Sequence, residues 1–414
     1  MSGFRSAGFM VETGTSTKFK LLTGAIVAVL VAQAFTISLK PMSSFSIYMA
    51  GVNNFWSGSN IYIQDAAVTG LYKYSPFVCI LLTPLYILPE QIGRFLWGLI
   101  NIALFLATPA LLLTWVDETV SFRQKSRIWL AAVVLSLEAL HINMRMGEIN
   151  YVVIFLIALG LHLQFNKTSR VWGAFSIALA GAVTIFPYLF TFYFLFKRQW
   201  KAAAYIIAWG VFMLTIPALW VGWESNMELL GQWKTVLERD AANPAMQLSL
   251  WAFLNLYFLE HDIAYKNGPD MIHLYWFSKE ALKAIWYACL TAYTAFLVAA
   301  TRRHSAGEKL SVYTLFELSL FIVGVMLFSN STGIHSRALL MPIFVFLLVF
   351  HRVRWILASL LSIWLLQSLG KDLLGDELAA MLYGAGSMNL SLILFTILLG
   401  FTYHFELQKK SDTI

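Results

Sequence analysis

Apolar runs long enough to cross a lipid bilayer recur from Leu21 to Phe405, and no other feature of the chain constrains its fold as strongly. A spanning helix needs about 20 apolar residues, because each residue advances only about 1.5 Å along the axis. Helices suit the bilayer because every backbone N–H and C=O finds its partner within the same segment. A barrel would show short segments of alternating polarity instead. Charged residues make up 12% of the 414 and hydrophobic residues 59%, whereas soluble domains carry about 25% charged residues. With a mean hydropathy of +0.69, most of this surface cannot face water. The expected fold class is all-α, a polytopic integral membrane protein.

The net charge of +7 reads as topology rather than as a ligand signal, since basic residues collect in cytoplasmic loops. Nucleic acid is not an expected partner; membrane lipids are. Cys79 and Cys289 each lie in an apolar segment, far apart in sequence, and imply neither a disulfide framework nor a metal site. The run Leu21 to Leu39 follows Lys18 and Lys20, exceeds a signal-peptide core, and reads as an uncleaved first span.

Basic clusters thread the rest. Lys18 with Lys20, then Arg123, Lys125 and Arg127, then Lys167 with Arg170, then Lys197, Arg198 and Lys201 mark inside segments. Arg302 with Arg303, Arg352 with Arg354, and Lys409 with Lys410 continue the series. Adjacent inside clusters must be joined by an even number of crossings. Between the first span and Arg123, only Ile92–Val116 is long enough to cross. Phe77–Leu88, flanked by Pro76, Pro84 and Pro89, reads as a re-entrant or interfacial helix. Further spans are expected at 127–141, 149–165, 171–184, 186–197, 202–222, 282–300, 311–329, 337–350, 355–369 and 387–405, for a total of about twelve. The short pair around Pro187 reads either as two spans or as one broken hairpin. The expected organisation is a cytoplasmic tail (1–19), one transmembrane domain (20–405) with outer loops at about 40–91 and 223–281, and a second cytoplasmic tail (406–414). The second loop carries a short apolar piece, Leu248–Leu259, suited to the interface.

The outer side then holds most of the chemically interesting groups. The first loop carries Ser44, Tyr48, Tyr62, Asp65, Lys73 and Tyr74; Arg145, Glu148 and Asn150 share the turn into the fourth span. Gln247 lies in the second large loop, and His335 and Arg337 at a later helix start. For any single loop charge, solvation is the commoner role. Arg145 to Asn150 places a cation, an acid and an amide close together, although Glu148 also suits a plain helix start through the helix dipole. Arg337 suits bidentate phosphate recognition, or simple anchoring at the interface. Glu138 and Glu317, inside spans, read as internally bonded helix contacts more readily than as a proton relay.

Several segments carry a resemblance when taken in order. They are Ser44-Phe-Ser-Ile-Tyr48, Trp56-Ser-Gly58-Ser-Asn-Ile-Tyr62, Tyr72-Lys-Tyr74-Ser-Pro76 and an apolar run ending at Pro89. Then come Gly147-Glu-Ile-Asn150, Thr184-Ile-Phe-Pro187 followed by Lys197-Arg198-Gln-Trp200, Gln247-Leu-Ser249-Leu, and Ser329 to His335. Together, over about residues 35–350, they resemble glycosyltransferase family 87, the polyprenyl-phosphate-dependent, mannosyltransferase-like membrane proteins of GT-C type. The first loop is also similar to the first mannosyltransferase of GPI-anchor synthesis.

The resemblance implies a GT-C helical architecture and transfer of a hexose, mannose foremost, from a polyprenyl-phosphate sugar to a lipid-linked glycan, a glycolipid or another acceptor at the non-cytoplasmic face. It implies no cofactor and leaves a divalent metal and the oligomeric state open. Lys73, Arg145 and Arg337 would face the donor phosphate, with His335 in support. Ser44, Tyr48, Tyr62, Tyr74, Asn150 and Gln247 would bind substrate. A bacterial inner membrane is the expected location, and an endomembrane also fits. The sequence departs from the family's pattern at three positions. The Asp expected upstream of the loop glycine falls on Ser44, the Gln of the Gly-Gln-x-Asn turn is Glu148, and the Lys before the proline is Thr184. A serine hydroxyl is no unassisted base at neutral pH. Either Asp65 or Glu148 replaces the acid, or the geometry differs, or catalysis is lost; a relocated acid is the favoured expectation. The competing readings are a catalytically silent relative and a lipid or solute transporter.

Overall fold

A computed structural model describes residues 17–62, 70–117, 120–165, 169–241, 248–259, 274–275, 277–303, 310–329, 332–368 and 371–407. The described residues are helical throughout, apart from turns and one isolated bridge between Leu259 and Phe277. The first half contains α1 (Thr17–Ser38), α2 (Ser43–Trp56), α3 (Pro76–Tyr86), α4 (Glu90–Leu113), α5 (Phe122–Leu135), α6 (Leu137–Met146), α7 (Asn150–Gln164), α8 (Arg170–Val183), α9 (Phe190–Phe196) and α10 (Trp200–Thr215). There follow α11 (Ala218–Val221), α12 (Trp223–Ala241), α13 (Leu250–Phe258), α14 (Lys279–Arg303), α15 (Val312–Phe328), α16 (Met341–Val349), α17 (Arg354–Ser368), α18 (Lys371–Gly384) and α19 (Ser387–Thr402). Short 3-10 turns, Phe186–Leu189 and Ile334–Leu340, precede α9 and α16.

Five segments among the described residues are long and apolar enough to cross a membrane: Phe19–Ser38, Glu90–Leu113, Trp200–Val221, Lys279–Arg302 and Ser387–Leu407. The pair α5 and α6 makes a sixth if taken as one span, but it bends by 48° at Ser136. The other apolar helices, among them α7, α8 and α15, have 17 residues or fewer. These are shorter than the roughly 20 residues of a full crossing. The architecture is thus an all-α membrane fold that has, among the described residues, five or six segments long and apolar enough to span and a set of shorter apolar helices. Around Pro187 the chain forms a 3-10 turn and the seven-residue α9.

Two stretches expected to be connections are more ordered than the sequence suggested. Within the expected loop from Trp223, α12 is a 19-residue helix. Leu229, Leu230, Trp233, Val236 and Leu237 pack against the core, an i, i+1, i+4, i+7, i+8 stripe that the surrounding charges conceal. The connection before the last span also folds, as α18, with a break at Gly375 (φ +78°).

Close packing and buried ion pairs fix the interior. α7 and α8 meet at Gly160 and Gly173. A Cβ on Gly173 would stand 2.7 Å from the Gly160 carbonyl oxygen, so only glycine permits this backbone approach. Glu317 on α15 accepts from Tyr193 OH at 2.8 Å and pairs with Lys197 Nζ at 2.9 Å, joining α15 to α9 and the residue that follows it. Glu138 on α6 pairs with Arg337. Both acids are therefore internally bonded helix contacts.

Candidate active site

The geometry begins with a turn. α6 ends at Gly147, whose φ of +76° is a left-handed conformation that costs glycine little. The Gly147 N–H donates to the Met144 carbonyl at 3.1 Å and the Glu148 N–H to the Asn143 carbonyl at 2.8 Å, the paired bonds of a Schellman motif. A Cβ at 147 would lie 2.7 Å from Phe45 Cβ. The turn is therefore wedged against the first turn of α2, and Trp97 Nε1 holds its outer side by donating to the Gly147 carbonyl at 2.9 Å.

This wedge sets Glu148 opposite Ser44 and Tyr48, which lie four residues apart on one face of α2. Ser44 Oγ donates to Glu148 Oε1 at 2.7 Å, and Tyr48 OH to Oε2 at 3.4 Å. Tyr48 OH also lies 3.0 Å from Tyr74 OH. A phenol has one proton, so with Tyr48 donating to the carboxylate, Tyr74 donates to Tyr48. Burial, and then the adjacent Glu148 charge, push the Tyr48 phenol well above its ordinary range. It stays protonated and acts as a donor. Glu148 is 5% exposed, and its Oε1 lies 3.7 Å from His335 Nδ1. The carboxylate is thus a buried acceptor with a hydroxyl on each oxygen and an imidazole ring at one side.

Aromatic donors fix the loop that brings in Lys73 and Tyr74. Trp233 Nε1 donates to the Lys73 carbonyl at 2.9 Å, Tyr62 OH to that of Tyr74 at 2.9 Å, and Tyr72 OH to that of Ser75 at 3.3 Å. Ser75 Oγ in turn donates to the Ala182 carbonyl at 2.6 Å. Three successive carbonyls are each held by a ring, and that of Ser75 also accepts from the Val78 N–H of α3 at 3.0 Å.

These groups open onto a cavity of about 570 Å³. Ser44, Tyr48, Lys73, Tyr74, Glu148, Asn150 and His335 line its polar part, and Val183, Ile185, Phe186, Leu237, Val325 and Leu339 its apolar part. Among the described lining residues, Lys73 and His335 are the basic ones, and no group of three or more metal-ligating side chains gathers anywhere in the described chain.

Seven of the residues singled out from sequence thus converge. Tyr62 stands behind the site and supports Tyr74. Arg145 is exposed and does not line the cavity, because the left-handed turn at Gly147 reverses the chain between it and Glu148. Arg337 is withdrawn as well: its guanidinium donates to both Glu138 oxygens at 2.9 and 2.7 Å, to the Gln367 carbonyl at 2.8 Å and to the Ile334 carbonyl at 3.2 Å. With those donors engaged inside the protein, it has no fork left for a phosphate. Asp65 and Gln247 lie outside the described residues. Sequence reasoning missed Asn143, fully buried beneath the turn. The signal available was an amide just past the expected span 127–141, between Ile142 and Met144.

Comparison with known families agrees with the earlier resemblance. The sequence model of glycosyltransferase family 87 matches residues 72–329, more than half of the chain. That range contains Lys73, Tyr74, Glu148 and Asn150, while Ser44, Tyr48 and His335 lie beyond its ends. No curated protein matches the chain.

Proposed function

The chain belongs to glycosyltransferase family 87, and from that premise we propose that it is a hexosyltransferase, mannose being the first sugar to test, using a polyprenyl-phosphate sugar as donor. The acceptor is a lipid-linked glycan, a glycolipid or another hydroxyl compound. The site faces the non-cytoplasmic side of a bacterial inner membrane, with both termini in the cytoplasm. The observation that carries the reading is the Glu148 carboxylate, buried at the polar part of the cavity and oriented by Ser44 and Tyr48.

In this mechanism Glu148 accepts the proton of the acceptor hydroxyl as its oxygen attacks the anomeric carbon. The bond from that carbon to the phosphate oxygen breaks, and the electron pair leaves with the polyprenyl phosphate. Lys73 and His335 are the groups placed to balance the phosphate charge. Ser44 and Tyr48 occupy the carboxylate with donors and keep it aimed. The apolar lining of Val183, Ile185, Phe186, Val325 and Leu339 offers the lipid an apolar surface beside the polar groups.

The test is transfer by purified protein in lipid, supplied with radiolabelled polyprenyl-phosphate hexoses and a membrane-lipid extract. Wild type should transfer label, and Glu148→Gln, which keeps the shape and loses the base, should be slower by about 10²- to 10⁴-fold. A Glu148→Gln protein as active as wild type would remove Glu148 from catalysis. A wild type inert toward every donor would refute the polyprenyl-phosphate reading.

A further inference from the structure

We propose that Asn143 is a positioning residue of this site, clamping the main chains of Glu148 and His335 together so that the ring stands opposite the carboxylate. Asn143 lies in the last turn of α6 with no exposed surface. Its Nδ2 donates to the His335 carbonyl at 2.9 Å and to the Ala139 carbonyl at 2.8 Å. Its Oδ1 accepts from Asn150 Nδ2 at 3.1 Å, and that same Nδ2 also lies 3.3 Å from the His335 carbonyl. Its own carbonyl receives the Glu148 N–H at 2.8 Å. One residue therefore ties the end of α6, the start of α7 and the 3-10 turn that carries His335.

The chemistry explains why an amide stands here. Asparagine alone at this size offers two donors and an acceptor in one plane. Helix packing would be served by the bond back to Ala139, whereas the remaining bonds go to the two loops that supply the cavity's acid and its imidazole. Holding the His335 backbone also holds its ring, which folds back over Gly333: a Cβ on Gly333 would lie 2.6 Å from His335 Cε1. The ring thus rests against the main chain of Gly333, two residues before it. The distance of 3.7 Å between His335 Nδ1 and Glu148 Oε1 is therefore set from below, by Asn143.

The kinetic consequence rests on the proposed transferase activity, so two independent readouts are needed. The variants are Asn143→Leu, similar in size without polar atoms, and Asn143→Ser, smaller and able to bond only its own helix. In full-length protein in lipid, modification of His335 by diethyl pyrocarbonate, followed by mass spectrometry, should quicken by about threefold or more as its loop loosens. His162 and His351 should keep their wild-type rates. In the transfer assay kcat should fall roughly 10- to 100-fold, with the donor KM within about twofold of wild type. Added to His335→Ala, either Asn143 variant should cost less than about twofold more, because both act through the same ring. Unchanged His335 labelling in both variants, or an undiminished loss in the His335→Ala background, would overturn the proposal. An inert wild type would sink the transferase reading alone, and the labelling would still decide the clamp.

Discussion

The Glu148 carboxylate and the Ser44 hydroxyl are 2.7 Å apart, so the acid could be supplied from either side of the same gap. The chain supplies it from the turn before α7 and uses the α2 side as donor. A charge-assisted bond of this kind contributes about 1.5–3 kcal/mol, and it orients as well as stabilises. Placing a second acid at position 44 tests the geometry. In Ser44→Asp two carboxylates share the gap, and like charges so close cannot both ionise; one takes a proton, and transfer should fall about tenfold or more. In Ser44→Asp combined with Glu148→Gln a single carboxylate remains, now on α2 and facing an amide able to donate to it. That double variant should exceed Glu148→Gln alone by about tenfold. If it does not, the acid must be anchored on the α6–α7 turn to work. Glu148 was legible in the sequence as an acid in an unexpected place, and Ser44 as a missing one. That the two residues meet was not legible, because their contact spans α3 to α6 and depends on the wedge between Gly147 and Phe45.

Two helices end in the same motif with opposite choices of residue. After α6, Gly147 takes the left-handed position. After α9, Arg198 takes it, with φ of +57°, its N–H bonded to the Leu195 carbonyl at 2.9 Å and the Gln199 N–H to that of Phe194 at 2.8 Å. A Cβ in this conformation costs roughly 1–2 kcal/mol. Arg198→Gly should therefore stabilise the protein by about 1 kcal/mol, seen as a higher midpoint of thermal unfolding in detergent. Gly147→Ala should do the reverse and more, by about 2–3 kcal/mol, since its Cβ would also meet Phe45, and it should lose transfer because α2 must retreat from Glu148. Equal midpoints for Arg198→Gly and wild type would show that the turn relaxes around arginine. The glycine at 147 was readable as a turn; the arginine at 198 was readable only as charge. Basic residues at loop ends follow the topology, and that demand hides backbone conformation from any reading of the sequence. α12 was hidden in the same way, its stripe of Leu229, Leu230, Trp233, Val236 and Leu237 lying between charges that suggest a loop.

At the scale of the whole chain, hydrophobicity locates apolar segments far better than it measures them. α1, α4, α10, α14 and α19 belong to spans of 20 residues or more, whereas α7, α8 and α15 have 15, 14 and 17. A short helix among others is shielded by them, so its length need not match the bilayer, and a crossing count drawn from apolar runs loses its ruler. The charge pattern is the independent ruler, and it predicts on which side each loop lies. The sharpest comparison brackets α4. Ser57, just after α2, belongs to the expected outer loop, and Arg123, at the start of α5, to an expected inner one; both side chains are exposed. Cys79 is buried and Cys289 exposed, so Cys289→Ser provides a background of low thiol reactivity. In that background Ser57→Cys should react with a membrane-impermeant maleimide in spheroplasts. Arg123→Cys should react only after permeabilisation, with Lys125 and Arg127 left to hold the loop inside. Labelling of both from the same side would mean that α4 does not cross as a single span. It would also move the cavity, which lies between the start of α2 and the turn before α7, away from the face where a lipid-linked donor is proposed to enter.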